Sequence, residues 1–202
     1  MEETGKILII VDPQWDFVYG SLATVNGEKA MDKLCNHLLS VAMDMYDEIA
    51  VTSDEHPEDH CSFKENGGPF PVHCVKGTIG QTIYPDLKSV LSQLHMAGMP
   101  SRLLTKGTEA GREEFSVMQN RISGSILRDL IKERNPEIFV CGIATDYCVY
   151  ETVKDLHTEF PENKIFVLSD LCAAVDEFDT KLFDYCMSNY NVNWLPEPDW
   201  NE

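Results

Sequence analysis

The sequence predicts an α/β fold of three layers, α/β/α, built on a doubly wound and mostly parallel sheet of about six strands. Two observations carry this prediction. Short, continuously apolar runs recur along the chain, of the kind that suits strands buried on both faces. Between them lie segments with helical spacing, so strand and helix alternate. The size agrees: 202 residues with 43% hydrophobic content can bury one sizeable core, so a single domain over 1–202 is expected.

Lys6-Ile7-Leu8-Ile9-Ile10-Val11 is the first strand, apolar throughout after its lysine. Residues 28–45 predict a helix with Met31, Leu34, Leu38, Val41 and Met45 on one face. A second strand spans 48–53, and 54–86 is irregular and rich in His, Pro and Gly. There follow a helix at 87–96, a strand at 101–105, a helix at 123–133 and a strand at 137–141. The last predicted elements are a helix at 145–157, a strand at 164–168, a helix at 180–188 and a strand at 191–195. No internal repeat, low-complexity segment or linker interrupts this order.

A net charge of −18 argues against nucleic acid and anionic membranes, both of which require clustered Lys and Arg. No run approaches the roughly 20 apolar residues of a membrane helix. The acidic start, Met1-Glu2-Glu3-Thr4-Gly5-Lys6, lacks a signal-peptide pattern, so a cytoplasmic location is expected. Seven cysteines make no even framework and suit free thiols.

In such sheets ligands sit beyond the carboxyl ends of the strands. Three polar residues satisfy that rule: Asp12 after the first strand, Lys106 after Leu103-Leu104-Thr105, and Cys148 just past Phe139-Val140-Cys141. The stretch Cys141-Gly142-Ile143-Ala144-Thr145-Asp146-Tyr147-Cys148-Val149 reads as strand, Gly-containing turn and helix start. Unpaired N–H groups at that start would give Cys148 thiolate character and could hold an oxyanion. A carboxylate can take the thiol proton and return it to a leaving amine, and an ammonium favours ionised neighbours. Each residue also has a plainer reading: a buried core cysteine, a turn-forming Asp before Pro13, a solvated lysine at a strand end.

A second cluster follows the second strand: Asp54, His56, His60, Cys61, Glu65, His73 and Cys74. In an extended segment Asp54 and His56 point to one side. A carboxylate with two or three imidazoles suits Zn²⁺, Mn²⁺ or Fe²⁺. Cys61 and Cys74 keep a closed structural zinc site open, although the spacing matches no paired CxxC site.

The chain resembles the isochorismatase-like cysteine hydrolases, and among them the nicotinamidases. The matching pieces are Ile9-Ile10-Val11-Asp12-Pro13-Gln14-Trp15-Asp16-Phe17; Thr52-Ser53-Asp54-Glu55-His56-Pro57; Pro71-Val72-His73-Cys74-Val75-Lys76-Gly77-Thr78; Thr105-Lys106-Gly107; and Gly142 to Val149. The resemblance implies a triad of Asp12, Lys106 and Cys148, with an oxyanion hole from the N–H groups of Ala144 and Cys148 and a cis peptide before Ala144. It implies one divalent metal, zinc first with Fe or Mn as alternatives, on Asp54, His56 and His73. His60 matches a further ligand, and Glu65 a substitute for it. The reaction implied is hydrolysis of nicotinamide through a cysteine thioester, as in NAD salvage, with the metal on the pyridine nitrogen and Phe17 and Phe70 around the ring. A homo-oligomer is expected.

Phe70 stands where the family usually has Trp, Glu55 where an apolar or aromatic residue is commoner, and Phe115-Ser116 where the pattern is Tyr-Ser, which removes a hydroxyl near the substrate. Beyond Asp176 the resemblance fades. Two rival functions are an amidase of the same family acting on a carbamoyl or ureido group, and a non-catalytic zinc-binding interaction module.

Overall fold

A computed structural model describes residues 5–196. Six strands form one sheet: β1 (Lys6–Val11), β2 (Glu48–Asp54), β3 (Ser101–Lys106), β4 (Glu137–Ile143), β5 (Ile165–Ala173) and β6 (Val192–Leu195). Their order is β3-β2-β1-β4-β5-β6. Every neighbouring pair is parallel, so the sheet is wholly rather than mostly parallel. The helices are α1 (Trp15–Val18), α2 (Gly27–Met45), α3 (Pro85–Met96), α4 (Arg121–Arg134), α5 (Tyr150–Glu159) and α6 (Lys181–Ser188). The acidic start, residues 1–4, lies outside the described residues.

β1 is apolar at successive positions because it is central and covered on both sides. Leu8 and Ile10 pack with residues of α2 and α3, whereas Ile7, Ile9 and Val11 pack with residues of α4, α5 and α6. Each such buried aliphatic contributes about 1.5–3 kcal/mol. Helix ends follow local chemistry too: Asn120 caps α4 by accepting from the Ile122 and Ser123 N–H groups, and Asn135 closes it in the left-handed region. Among the described residues no helix is long and apolar enough to cross a membrane.

The sequence misses α1, which is only four residues long, and the single 3-10 turns Lys64–Asn66 and Val117–Gln119. β4 and β5 run past their predicted ends, and their register shifts between Val140 and Gly142. Gly142 makes this possible. Its φ is 120°, and a Cβ there would run into the Val11 backbone. The predicted helix over 145–157 begins instead as a π-turn, Thr145–Val149, and continues as α5.

The strand order reverses between β1 and β4. Their carboxyl ends therefore diverge into a crevice, and that crevice is where a doubly wound sheet binds its ligand.

Candidate active site

All three strand-end residues reach this crevice. Asp12 follows β1, Cys148 lies in the π-turn after β4, and Lys106 ends β3. Lys106 stands opposite Asp54 in the β2–β3 register, so their side chains are neighbours. Its Nζ lies 2.8 Å from Asp12 Oδ2 and 2.6 Å from Asp54 Oδ1. It also lies 3.6 Å from Cys148 Sγ. Asp12 and Lys106 are fully buried.

Asp12 has a φ of 46°, in the left-handed region. Aspartate tolerates that region better than most residues, and the surroundings hold it there. The Thr52 hydroxyl accepts from the Asp12 N–H at 3.2 Å and donates to Oδ1 at 2.6 Å. Oδ2 has no aligned hydrogen-bond donor, since the Lys106 approach is close but off-axis. A lone pair therefore remains for the proton of the neighbouring thiol.

Electrostatics correct one expectation. Burial pushes the Cys148 thiol well above its ordinary value; Lys106 pulls it down, and Asp12 and Asp54 push it further up. The helix start alone does not make a resting thiolate in this environment. Burial also raises the Asp12 carboxyl, against the pull of Lys106 and with the push of Asp54. For Lys106 burial acts downward, but Asp12 and Asp54 outweigh it and hold the ammonium well above its usual range. Burial thus works against charge on both Cys148 and Asp12, and the Lys106 cation beside them works for it.

Asp54, His56 and His73 each place one ligand atom within 4.8 Å of the others. His56 Nδ1 donates to the Gly107 carbonyl at 2.9 Å, which fixes the tautomer. Its Nε2 is buried without a hydrogen-bond partner, 3.7 Å from Asp54 Oδ2. His73 Nδ1 is likewise engaged by the Pro71 carbonyl at 2.8 Å. Burial holds His56 neutral, with its pKa lowered to about 3. Two imidazoles and a carboxylate with ligand atoms this close to one another fit a divalent metal. Asp12, Asp54 and Cys148 converge similarly, but the Lys106 ammonium already sits among them and excludes a cation.

His60 stacks on His56 with centroids 4.0 Å apart. Both its ring nitrogens are engaged: Nε2 donates to the Arg112 carbonyl at 3.0 Å, and Nδ1 accepts from the Ser62 hydroxyl at 2.7 Å. It is not brought into the convergent set. Glu65 is exposed on the Lys64–Asn66 turn, outside the set as well. Cys61 and Cys74 are free thiols that do not join it.

Phe17, Phe70, Phe115, Ala144 and Cys148 line one narrow cavity of ≈ 30 Å³, together with Asp54 and His73. Phe17 and Phe70 both contact the His73 ring, at 5.6 and 5.9 Å. The Ile143–Ala144 peptide is cis. A wider cleft of ≈ 310 Å³ at the amino ends of the strands, lined by Lys6, Glu48 and Arg134 among others, has no cysteine, serine or threonine among the described residues that line it.

Several functional neighbours escape sequence reasoning. Gln14 clasps the Asp54 backbone, accepting from its N–H at 2.7 Å and donating to its carbonyl at 2.8 Å. Glu114, buried, accepts from the Gly107 N–H at 2.9 Å and so supports the carbonyl that orients His56. Gly107 has a φ of 65° and a Cβ there would strike the His56 ring. Tyr147, Glu113, Leu22 and Val175 also line the cavity. The signal available for Thr52 is a hydroxyl inside an otherwise buried strand, where a polar group needs a partner.

The His56 shift has a pH consequence. The unfolded imidazole takes a proton below about 6.5, whereas the folded one resists until about 3. The stability this group contributes is therefore present above the first value and lost as pH falls through the second. Metal-free protein is expected to weaken across that window, and His56→Gln to flatten the loss in urea melts. Equal pH dependence in the two proteins would overturn this.

A thiol, carboxylate and ammonium at the switch point of a doubly wound sheet, beside a metal-ligand cluster, define a cysteine hydrolase of the α/β class. No family model matches the chain. The nicotinamidase/pyrazinamidase of Mycobacterium tuberculosis is 33% identical over 175 residues, which are 84% of this chain and 87% of that protein. PnC1 from L. infantum, solved in complex with nicotinate, is 30% identical with a TM-score of 0.80, covering 96% of this chain and 93% of that one. The pyrazinamidase of Pyrococcus horikoshii, solved in complex with zinc, is 26% identical with a TM-score of 0.77, covering 95% and 98%. The chain belongs to the nicotinamidase family.

Proposed function

We propose that this protein hydrolyses nicotinamide to nicotinate and ammonia, with Cys148 as nucleophile, Asp12 as general base and acid, and Lys106 as charge stabiliser. The observation that carries this is that Cys148, beside Lys106 and Asp12, lines one aromatic-walled cavity with Asp54 and His73 of the ligand cluster. Asp12 takes the Cys148 proton as Sγ attacks the carboxamide carbon. Negative charge moves to the amide oxygen, toward the N–H groups of Ala144 and Cys148. The C–N bond then breaks, and Asp12 hands its proton to the departing ammonia. Water, deprotonated by Asp12, attacks the thioester; the C–S bond breaks, nicotinate leaves and the thiol regains its proton.

Asp54, His56 and His73 would hold the divalent ion, with zinc favoured by the mixed nitrogen and carboxylate donors. When bound, such an ion supplies an open coordination position for a ring nitrogen. Phe17, Phe70 and Phe115 bound the ring. The test is ammonia release from nicotinamide, with and without chelator. Turnover is expected, and expected to fall on chelation. No release from nicotinamide, with release from a carbamoyl or ureido amide, would move the chain to another amidase.

A further inference from the structure

Asp146 lies in the turn that carries Cys148, yet its side chain faces away from the thiol chemistry. It is 4% exposed. Oδ1 accepts from the Val175 N–H at 3.0 Å, and Oδ2 accepts from the Asp176 N–H at 2.9 Å. The turn is held from a second side. Lys181 Nζ donates to the Asp146 carbonyl at 3.0 Å and lies over the rings of Tyr147 and Tyr150, at 5.6 and 5.2 Å. The 174–176 segment is also tied toward α2, because the Ala174 carbonyl accepts from the Val25 N–H at 2.9 Å. Val175, Tyr147 and Cys148 all line the same cavity.

We infer that Asp146 is a positioning residue that sets the width of the substrate pocket. Its carboxylate bolts the segment bearing Val175 to the turn bearing Tyr147 and Cys148, so wall and nucleophile keep one separation. The two backbone donors meet one carboxylate oxygen each, so two acceptor atoms are used at this place. Asparagine retains the shape but offers one acceptor, and its NH₂ would face an N–H. A flat six-membered aromatic amide is the ligand class such a fixed slot selects. The inference rests on the proposed nicotinamide reading and adds to it the source of the ring fit.

Steady-state kinetics on nicotinamide test it, with the protein as isolated and its metal in place. Asp146→Asn should raise KM about tenfold, because the Val175 wall loses its fixed distance from the turn, and change kcat by less than about threefold. Val175→Ala, which alters the wall directly, should also raise KM. The double variant should show no more than the larger single effect, because both changes act on one wall. A purely structural role would lower the thermal midpoint and the active fraction, leaving KM alone; that result overturns the inference. So does a multiplicative double variant. If Asp146→Asn fails to fold, Lys181→Met loosens the same turn, and an unchanged KM there overturns the inference as well. A parent protein with no turnover of nicotinamide would instead sink the underlying reading, and the inference with it.

Discussion

Cys148→Ala is expected to lower ammonia release from nicotinamide by a factor on the order of 10⁴ to 10⁶, the range for removing a covalent nucleophile. Its neighbours can act on the amide only once the sulfur has attacked it. Lys106 is 3.6 Å from Sγ, and Asp12, raised by burial, is hydrogen-bonded to the thiol. Without the sulfur, the carboxylate and ammonium form a buried ion pair with nothing to activate. The variant should keep its fold, because alanine fits the space and loses only one heavy atom's packing. It should keep its metal too, since Cys148 is not among the Asp54/His56/His73 ligand atoms. Circular dichroism and metal content should match the parent. Activity above trace level would assign the chemistry elsewhere.

Much of the frame was legible because central parallel strands announce themselves. Ile7 to Val11 must be apolar on both faces, and that pattern survives any uncertainty about neighbours. Strand ends were less legible where glycine reads as a breaker, as at Gly142, whose positive φ in fact carries β4 toward Ala144. The strand-end rule identified Asp12, Lys106 and Cys148 as neighbours, and the structure brings them together. It could not show that Asp54 also pairs with Lys106, because that contact depends on the β2–β3 register. Nor could it show that burial, and after it the two carboxylates, would push the thiol up against the pull of Lys106. Composition also could not show the partners of His60, whose nitrogens meet the Ser62 hydroxyl and the Arg112 carbonyl, the second of them 52 residues away. Thr52 and Gln14 act across 40 residues of sequence, beyond any local pattern.

The Lys106–Asp54 contact separates two kinds of metal-site variant. Asp54 serves two neighbours, as a convergent ligand and as a counter-charge 2.6 Å from Lys106. Asp54→Ala should therefore disturb both ring binding and the nucleophile. His56 touches only the ligand side, with Nδ1 on the Gly107 carbonyl and Nε2 facing the cluster. His56→Ala is expected to lower kcat/KM for nicotinamide about 10²-fold or more, because a misplaced ring loses the near-attack geometry. Alkylation of Cys148 by a small thiol reagent should stay within about threefold of the parent, since Asp12 and Lys106 remain. Mass spectrometry must follow Cys148 itself, because Cys61 and Cys172 are partly exposed. Benzamide supplies the control within the substrate: it has the carboxamide and lacks the ring nitrogen. The parent should prefer nicotinamide over benzamide about 10²-fold, and His56→Ala should bring that ratio close to one. A parent that turns over both amides equally would remove the ring-nitrogen role, and with it the reason for three convergent ligands beside a cysteine nucleophile.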